Sequence, residues 1–173
     1  MNLLISAKIT LSMKLYHGSL EIVTIPEIRE PNRTLDYGCG FYTTTSFKQA
    51  ASWVKRKMNE KKSTIGYINV YDFDESAMEG LCCLVFQTPD EKWLDFVMQN
   101  RTQKGFKHNN DIVYGPVAND RVYAAFALYE AGILDKQELI TELKAYRLVN
   151  QYLFHTERSL QRLNFIEAKE VRP

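Results

Sequence analysis

The stretch Gly38-Cys-Gly-Phe-Tyr-Thr-Thr-Thr-Ser-Phe-Lys-Gln-Ala-Ala-Ser-Trp-Val54 holds the local signals of a turn, a strand and a helix in direct succession. Glycines open it, and residues 41–45 are aromatic or β-branched, which favours a strand. Ser46 is a typical helix N-cap residue. The apolar side chains after it recur at helical spacing, at Phe47, Ala50, Ala51 and Val54. The stretch therefore predicts a strand followed at once by a helix.

Outside this stretch, strands and helices follow each other without a regular βαβ order. Residues 14–17 predict a short strand that ends at Gly18-Ser19, and residues 20–40 predict a loop. Further strands are predicted at 65–73, 82–87 and 151–156, and helices from Thr88-Pro89 onward, at 121–131 and at 135–146. We expect the segment with Leu160, Leu163 and Phe165 to be amphipathic. The mixture predicts an α+β fold.

Length and charge limit the classes of function. A chain of 173 residues with 45% hydrophobic and 25% charged residues is typical of one globular domain. Its formal net charge of +1 provides no overall field that would recruit nucleic acid or an anionic membrane. Met13 directly precedes the first predicted strand. We therefore expect residues 1–12 to be a disordered extension and residues 13–173 to form a single domain.

The cysteines and histidines suggest neither a disulfide framework nor a metal site. There are 3 cysteines, of which Cys82 and Cys83 are adjacent, and 3 histidines, which stand far apart and near no CxxC motif. The apolar run near the N-terminus is too short to cross a bilayer and lacks a cleavage signal. We expect a reduced, cytoplasmic protein without a membrane segment.

Three short stretches combine polar groups with glycine or aromatic residues, namely 15–19 (LYHGS), 38–44 (GCGFYTT) and 150–156 (NQYLFHT). Taken singly, each has an ordinary explanation. A histidine at a strand end is common on protein surfaces, a tyrosine in a strand is commonly part of the core, and a glutamine there is commonly exposed. The order in which His17, Tyr42 and Gln151 occur is more informative than any one of them.

In that order, the stretches resemble the ADP-ribosyltransferase superfamily, in the branch of diphtheria toxin and the poly(ADP-ribose) polymerases, whose triad is histidine, tyrosine and glutamate. His-Gly-Ser at 17–19 matches the first motif, Gly-x-Gly-Phe-Tyr at 38–42 resembles the second, and Asn-Gln-Tyr at 150–152 resembles the third. The resemblance implies a split fold of two small sheets with flanking helices, and NAD as the substrate bound between the sheets.

A closer resemblance is to an uncharacterised bacterial family of small transferase-like proteins. Its members share the motifs found here at 15–19, 40–43, 111–120 and 151–156. They are often encoded beside a small partner protein, in an arrangement like that of toxin and antitoxin. This resemblance implies a toxin with a small antitoxin protein as its partner, and leaves the acceptor of the ADP-ribose group unknown.

The resemblance also implies residue roles. His17 would hold the adenosine-side ribose. The backbone of Gly18, in the His-Gly-Ser motif that also contains Ser19, would approach the nicotinamide carboxamide. Tyr42 would offer its ring face to the pyridinium cation. Trp53 would close the other face of that ring, or would alternatively pack against the sheet as an ordinary helix residue.

Gln151 departs from the polymerase pattern, because glutamine retains a hydrogen bond to the nicotinamide ribose but carries no negative charge. Transfer of a single ADP-ribose group, or hydrolysis of NAD, is therefore expected rather than chain elongation, with the charge coming from another carboxylate. Asp120 is one candidate, although together with Asn119 it also suits the cap of the following helix. His155 shares a strand face with Gln151, and would lie at the same cleft or bond to a neighbouring loop.

Two further hypotheses compete with the transferase. A catalytically silent module that binds NAD, ADP-ribose or a partner protein is compatible with glutamine at position 151. Transfer of a 2′-phosphate from RNA to NAD is the third, and it calls for basic residues around the pocket, which the balanced overall charge does not favour.

Overall fold

The computed structural model describes residues 12–31, 34–103, 105–116, 120–146 and 148–173. Its strands are β1 (Ser12–Ser19), β2 (Phe41–Thr44), β3 (Gly66–Asp74), β4 (Cys83–Val85), β5 (Ile112–Pro116), β6 (Asn150–Phe154) and β7 (Asn164–Val171). Its helices are α1 (Phe47–Lys61), α2 (Glu91–Thr102), α3 (Asp120–Glu130), α4 (Lys136–Ala145) and the short α5 (Glu157–Leu160). A 3-10 turn covers Glu75–Met78. The predicted mixed α and β composition is confirmed.

The seven strands form one sheet in the order β4-β5-β6-β2-β1-β3-β7, in which only β4 and β5 run parallel. Strand β1 pairs with β3 along its whole length, and β2 pairs with β6. The two groups are joined through a single register pair, Tyr16 opposite Thr44. The expected two separate sheets are therefore two halves of one sheet, because this one pair connects them.

Beyond that pair, β1 and β2 no longer form a ladder. The carbonyl oxygen of Tyr42 lies 2.7 Å from Nδ1 of His17, so a side chain occupies the place that a backbone N–H would take in a continued ladder. A notch between the two halves of the sheet follows from this interruption.

The buried apolar side chains of the helices and strands form three groups. The largest group joins α2, α3 and α4 to β5 and β6, and includes Trp93, Leu94, Phe126, Leu139 and Leu153. The second lies among β1, β2, β3 and β6, and includes Leu15, Phe41, Tyr71, Phe73 and Phe154. The third packs α1 on β3 through Ala50, Val54, Met58 and Ile68. Helix α1 is thus held against β3, next to β1, which carries the first motif.

Most predicted elements are confirmed, and the differences have identifiable causes. Ser46 caps α1 as predicted, its hydroxyl accepting a hydrogen bond from Gln49 N–H. Helix α2 begins later than predicted, because Asp90 rather than Thr88 caps it, accepting from Trp93 N–H. Strand β1 continues through Gly18-Ser19, because both residues pair with β3.

Two predictions near the chain ends are wrong in detail. The amphipathic segment after β6 is a short helix followed by the edge strand β7, which pairs with β3. The residues of β7 are mostly exposed, so β7 lacks the alternation of apolar and polar residues that marks a strand in a sequence. Ser12 belongs to β1 opposite Asp74, so the domain begins at least one residue before the expected boundary, and residues 1–11 lie outside the described part. Among the described residues, no helix has the length and apolar character needed to cross a membrane.

Candidate functional site

A cavity of about 650 Å³ opens at the notch between the two halves of the sheet. Its walls come from β1, β2, the N-terminal half of α1, the loop before β2 and the start of β6. The size is typical of a small-molecule site. All six predicted site residues line it, namely His17, Gly18, Ser19, Tyr42, Trp53 and Gln151.

His17 is fixed in one tautomer. Its Nδ1 lies 2.7 Å from the Tyr42 carbonyl oxygen, and because a carbonyl only accepts, Nδ1 carries the proton. Its ring stacks on Phe41 with 4.3 Å between centroids. Burial lowers the pKa of His17, so the ring is neutral near pH 7. Nε2 of this wall residue is therefore a hydrogen-bond acceptor, suited to a sugar hydroxyl.

Tyr42 presents a ring whose hydroxyl is already engaged. That hydroxyl donates to the Gly38 carbonyl at 2.8 Å and accepts from Tyr37 N–H at 3.3 Å. Burial raises the pKa of the Tyr42 phenol well above its usual value, so it stays protonated. The hydroxyl fixes the ring, and the ring itself is what Tyr42 offers to a ligand.

Gln151 is buried in β6, opposite Thr44 on one side and Gly115 on the other. Its side chain lies beside the Tyr37 hydroxyl, which packs behind the cavity wall. The amide is neutral. It can exchange hydrogen bonds with a ligand but cannot supply charge.

Tyr37 is the residue that connects these groups, and sequence reasoning missed it. It is fully buried, and its hydroxyl donates to the Pro116 carbonyl at 2.8 Å and accepts from the indole N–H of Trp93. Through its backbone N–H it holds Tyr42, and its hydroxyl lies beside Gln151. No periodic pattern marks a residue in an irregular loop, so the sequence held no signal for it.

Gly18 is needed for packing. A Cβ at this position would lie 2.7 Å from Val54 Cγ2, 2.8 Å from the Ala50 carbonyl oxygen and 3.2 Å from Trp53 Cδ1. Helix α1 therefore rests directly on β1. Trp53 packs over Gly18, as in the second alternative, and it also lines the cavity, with 36% of its surface exposed.

One wall of the cavity is acidic. Asp36 lines it, and its carboxylate lies 3.1 Å from Nη1 of Arg101, whose Nε is 3.6 Å from Glu130. The guanidinium of Arg101 also lies over the rings of Tyr123 and Phe126. Asp36 is thus a carboxylate of the site that the sequence analysis did not identify.

Other parts of the wall are basic. Lys48, Ser52 and Arg56 follow each other at four-residue spacing on α1, and all three line the cavity. Arg29 lines it from the loop, where it pairs with Glu27 at 3.5 Å. The cavity wall therefore carries one carboxylate that is paired with Arg101, and cationic side chains along α1.

Three of the other candidates do not contribute a described side chain to the cavity. His155 bonds to the Cys39 carbonyl oxygen through Nδ1 at 2.6 Å and packs behind Gly40, so it is the loop-bonded histidine of the second alternative. Asn119 lies outside the described residues, as does the side chain of Asp120.

Comparison with known proteins places the chain in a family. No curated protein and no solved structure matches it. One family model matches residues 13–165, which is most of the chain and includes every strand and helix that lines the cavity. The chain therefore belongs to the family described as "Protein of unknown function (DUF3990)".

Proposed function

We propose that this protein is an NAD-dependent mono-ADP-ribosyltransferase, which cleaves the bond between nicotinamide and ribose and transfers ADP-ribose to an acceptor. The observation that carries the proposal is that His17, Tyr42 and Gln151, which are far apart in the sequence, line one cavity. Their order along the chain is that of the triad in the resemblance described above, with glutamine in place of glutamate.

The side chains suit the parts of the substrate that the resemblance assigns to them. The Nε2 of His17 accepts a hydrogen bond from a ribose hydroxyl, and the ring of Tyr42 stacks against the pyridinium. Gln151 bonds to a hydroxyl of the nicotinamide ribose. When the bond breaks, its electron pair leaves with nicotinamide, and an acceptor nucleophile attacks the ribose carbon and loses a proton.

The charges around the cavity also support NAD as the substrate. NAD carries a cationic ring at one end and a doubly anionic diphosphate in the middle. A nicotinamide ring stacked on Tyr42 would lie on the part of the cavity wall that holds Asp36. The diphosphate would then lie beside Lys48 and Arg56, which line the cavity from α1. Opposite charges at matching places favour binding in one orientation.

The fold supports the same proposal at a coarser level. An α+β domain with a notch in its sheet is compatible with the proposal, although the two expected sheets are one. We extend the proposal to a toxin whose partner is a small antitoxin protein. This extension rests on the resemblance, and a partner that covers the cavity would inhibit the enzyme.

The test is nicotinamide release from NAD labelled in the adenine moiety, together with transfer of label to proteins of a cell lysate. The proposal predicts release by the parent protein, and a loss of about 10²-fold or more in Tyr42→Ala and Gln151→Ala, because both remove groups placed against the reacting end. Tyr67→Ala, on β3 outside the cavity, is the matched control. Absence of NAD binding, nicotinamide release and label transfer in the parent would refute the proposal.

A silent binding module is the second candidate, and it is favoured by the neutral amide that Gln151 places on the cavity wall. A neutral amide suits recognition as well as turnover. Gln151→Glu separates the two functions. In an enzyme the added charge raises the rate of nicotinamide release, whereas a module binds NAD and shows no release in the parent or in Gln151→Ala.

A further inference from the structure

The loop that leads into β2 is held by two histidines on the side away from the cavity. The Cys39 carbonyl oxygen lies 2.6 Å from Nδ1 of His155. The Tyr37 carbonyl oxygen lies 3.5 Å from Nε2 of His108. Because a carbonyl oxygen only accepts, each imidazole donates through the nitrogen that faces the loop. The shorter contact, made by His155, is the stronger of the two.

His155 also supports the loop by direct packing. A Cβ at Gly40 would lie 2.8 Å from Nδ1 of His155 and 3.0 Å from the Phe154 carbonyl oxygen, so the loop backbone lies directly on the imidazole. The imidazole is itself held, because it meets the His108 ring edge to face with 4.5 Å between centroids. His108 in turn packs on Phe96 at 5.2 Å. The loop therefore lies on a rigid support.

The carbonyl group between the two held carbonyls belongs to Gly38, and it anchors the aromatic ring of the site. It accepts from the Tyr42 hydroxyl at 2.8 Å. The Tyr37 backbone N–H donates to the same hydroxyl at 3.3 Å. The position of the Tyr42 ring thus depends on the peptide groups of residues 37–39, and the histidines hold the first and last carbonyls of that segment.

We infer that His155 is a positioning residue for Tyr42, which it holds in place for the nicotinamide end of the ligand through the Cys39 carbonyl, while His108 supports the same loop. The inference rests on the proposed function and adds to it a residue that does not line the cavity. The imidazole fixes the loop, the loop fixes the hydroxyl, and the hydroxyl fixes the ring. A ring that is already oriented stacks on a cation without a further loss of conformational entropy.

The test compares the binding of two ligands by calorimetry. In carbocyclic NAD+, a methylene group replaces the ribose ring oxygen, so that the nicotinamide bond does not break. ADP-ribose lacks the nicotinamide ring. We expect the parent to bind carbocyclic NAD+ about tenfold more tightly than ADP-ribose, the value of one cation over an aromatic ring. Tyr42→Ala should lose this preference.

Two variants of similar size separate the hydrogen bond from the bulk of the side chain. His155→Leu leaves the Cys39 carbonyl without its donor, and we expect the preference to fall by about threefold, which is half of the stacking free energy. His155→Asn retains a donor for that carbonyl and should keep the preference within about twofold of the parent's. In a Tyr42→Ala background, His155→Leu should change the preference no further, because the ring through which it acts is missing.

Binding of ADP-ribose shows whether each variant is folded. If His155→Leu does not fold, His108→Leu takes its place, because it frees the Tyr37 carbonyl on the other side of Gly38, and the same fall is expected.

A parent without preference for carbocyclic NAD+ overturns the inference. So does a leucine variant that keeps the preference or weakens both ligands alike, as a merely structural role would, and so does an asparagine variant that loses the preference. In those cases the dinucleotide still binds and the proposed function stands. If the parent binds neither ligand, the proposed function fails as well.

Discussion

Nδ1 of His17 lies 2.7 Å from the carbonyl oxygen of Tyr42, at the point where β1 and β2 stop pairing. A continued ladder would have used that carbonyl for a backbone N–H and closed the notch. The imidazole instead satisfies the carbonyl and keeps its other nitrogen for a ligand. One hydrogen bond thus links the interruption of the sheet to the chemistry of the site.

The first prediction concerns the pH dependence of NAD binding. Burial lowers the pKa of His17, so Nε2 remains an acceptor as the pH falls through the ordinary histidine value of about 6.5. We expect the dissociation constant to stay constant as the pH falls to the ordinary histidine value, and to rise only below it. His17→Gln should weaken binding roughly tenfold, the value of one hydrogen bond. A transition centred near pH 6.5 in the parent, measured by calorimetry, would contradict the assignment.

The second prediction concerns Tyr37, the connecting residue. Tyr37→Phe leaves the indole N–H of Trp93 and the Pro116 carbonyl without their buried partner. We expect a loss of about 2–4 kcal/mol in the free energy of unfolding, measured by urea denaturation. Tyr67→Phe, which removes the hydroxyl of a half-buried tyrosine on β3, should change it by less than about 0.5 kcal/mol. Equal effects of the two substitutions would count against the network.

The third prediction concerns the contact between α1 and β1. The methyl group in Gly18→Ala would lie 2.8 Å from the Ala50 carbonyl oxygen, which is backbone and cannot rotate away. We expect a loss of about 1–3 kcal/mol in the free energy of unfolding, because the helix must shift. Ser52→Ala, on the exposed side of the same helix, should be nearly neutral. A Gly18→Ala protein as stable as the parent would show that the helix does not rest on this glycine.

The fourth prediction concerns stability in mild acid. Burial, followed by the neighbouring His108, lowers the pKa of His155 to about 4, and its Nε2 has no hydrogen-bond partner among the described residues. The unfolded chain binds a proton below about pH 6.5, whereas the folded chain does so only near pH 4, so stability is lost as the pH falls between these values.

The test compares the parent with His155→Asn, which retains a donor for the Cys39 carbonyl. Between pH 7 and 5, most carboxylates stay ionised, and we expect the parent to lose about 1–2 kcal/mol more of its unfolding free energy than the variant. Parallel profiles in urea denaturation at each pH would contradict a neutral, buried His155.

Much of the local structure could be predicted because its signals lie close together in the sequence. The strand at Phe41–Thr44, the Ser46 cap and α1 follow from residue types that act on their immediate neighbours. Strand β7 could not be predicted, because an edge strand with mainly exposed positions has no alternation to detect. The pairing of Tyr16 with Thr44, which joins the halves of the sheet, depends on contacts distant in sequence.

The candidate site also contains residues that the sequence could predict and residues that it could not. His17, Tyr42 and Gln151 belong to recognisable motifs, so their common place at the cavity could be expected. Tyr37 and Asp36 belong to an irregular loop, and they matter through contacts with Trp93 of α2 and Arg101 at its end. Tertiary packing alone brings those residues together, and no spacing along the chain reports it.

A crystal structure of the complex with carbocyclic NAD+ tests the central claim most directly. The account predicts that the nicotinamide ring stacks on Tyr42, that Nε2 of His17 accepts a hydrogen bond from the adenosine-side ribose, and that Gln151 contacts the other ribose. A dinucleotide bound elsewhere on the protein, or a cavity left empty at saturating ligand in a crystal where it is open to solvent, would contradict it.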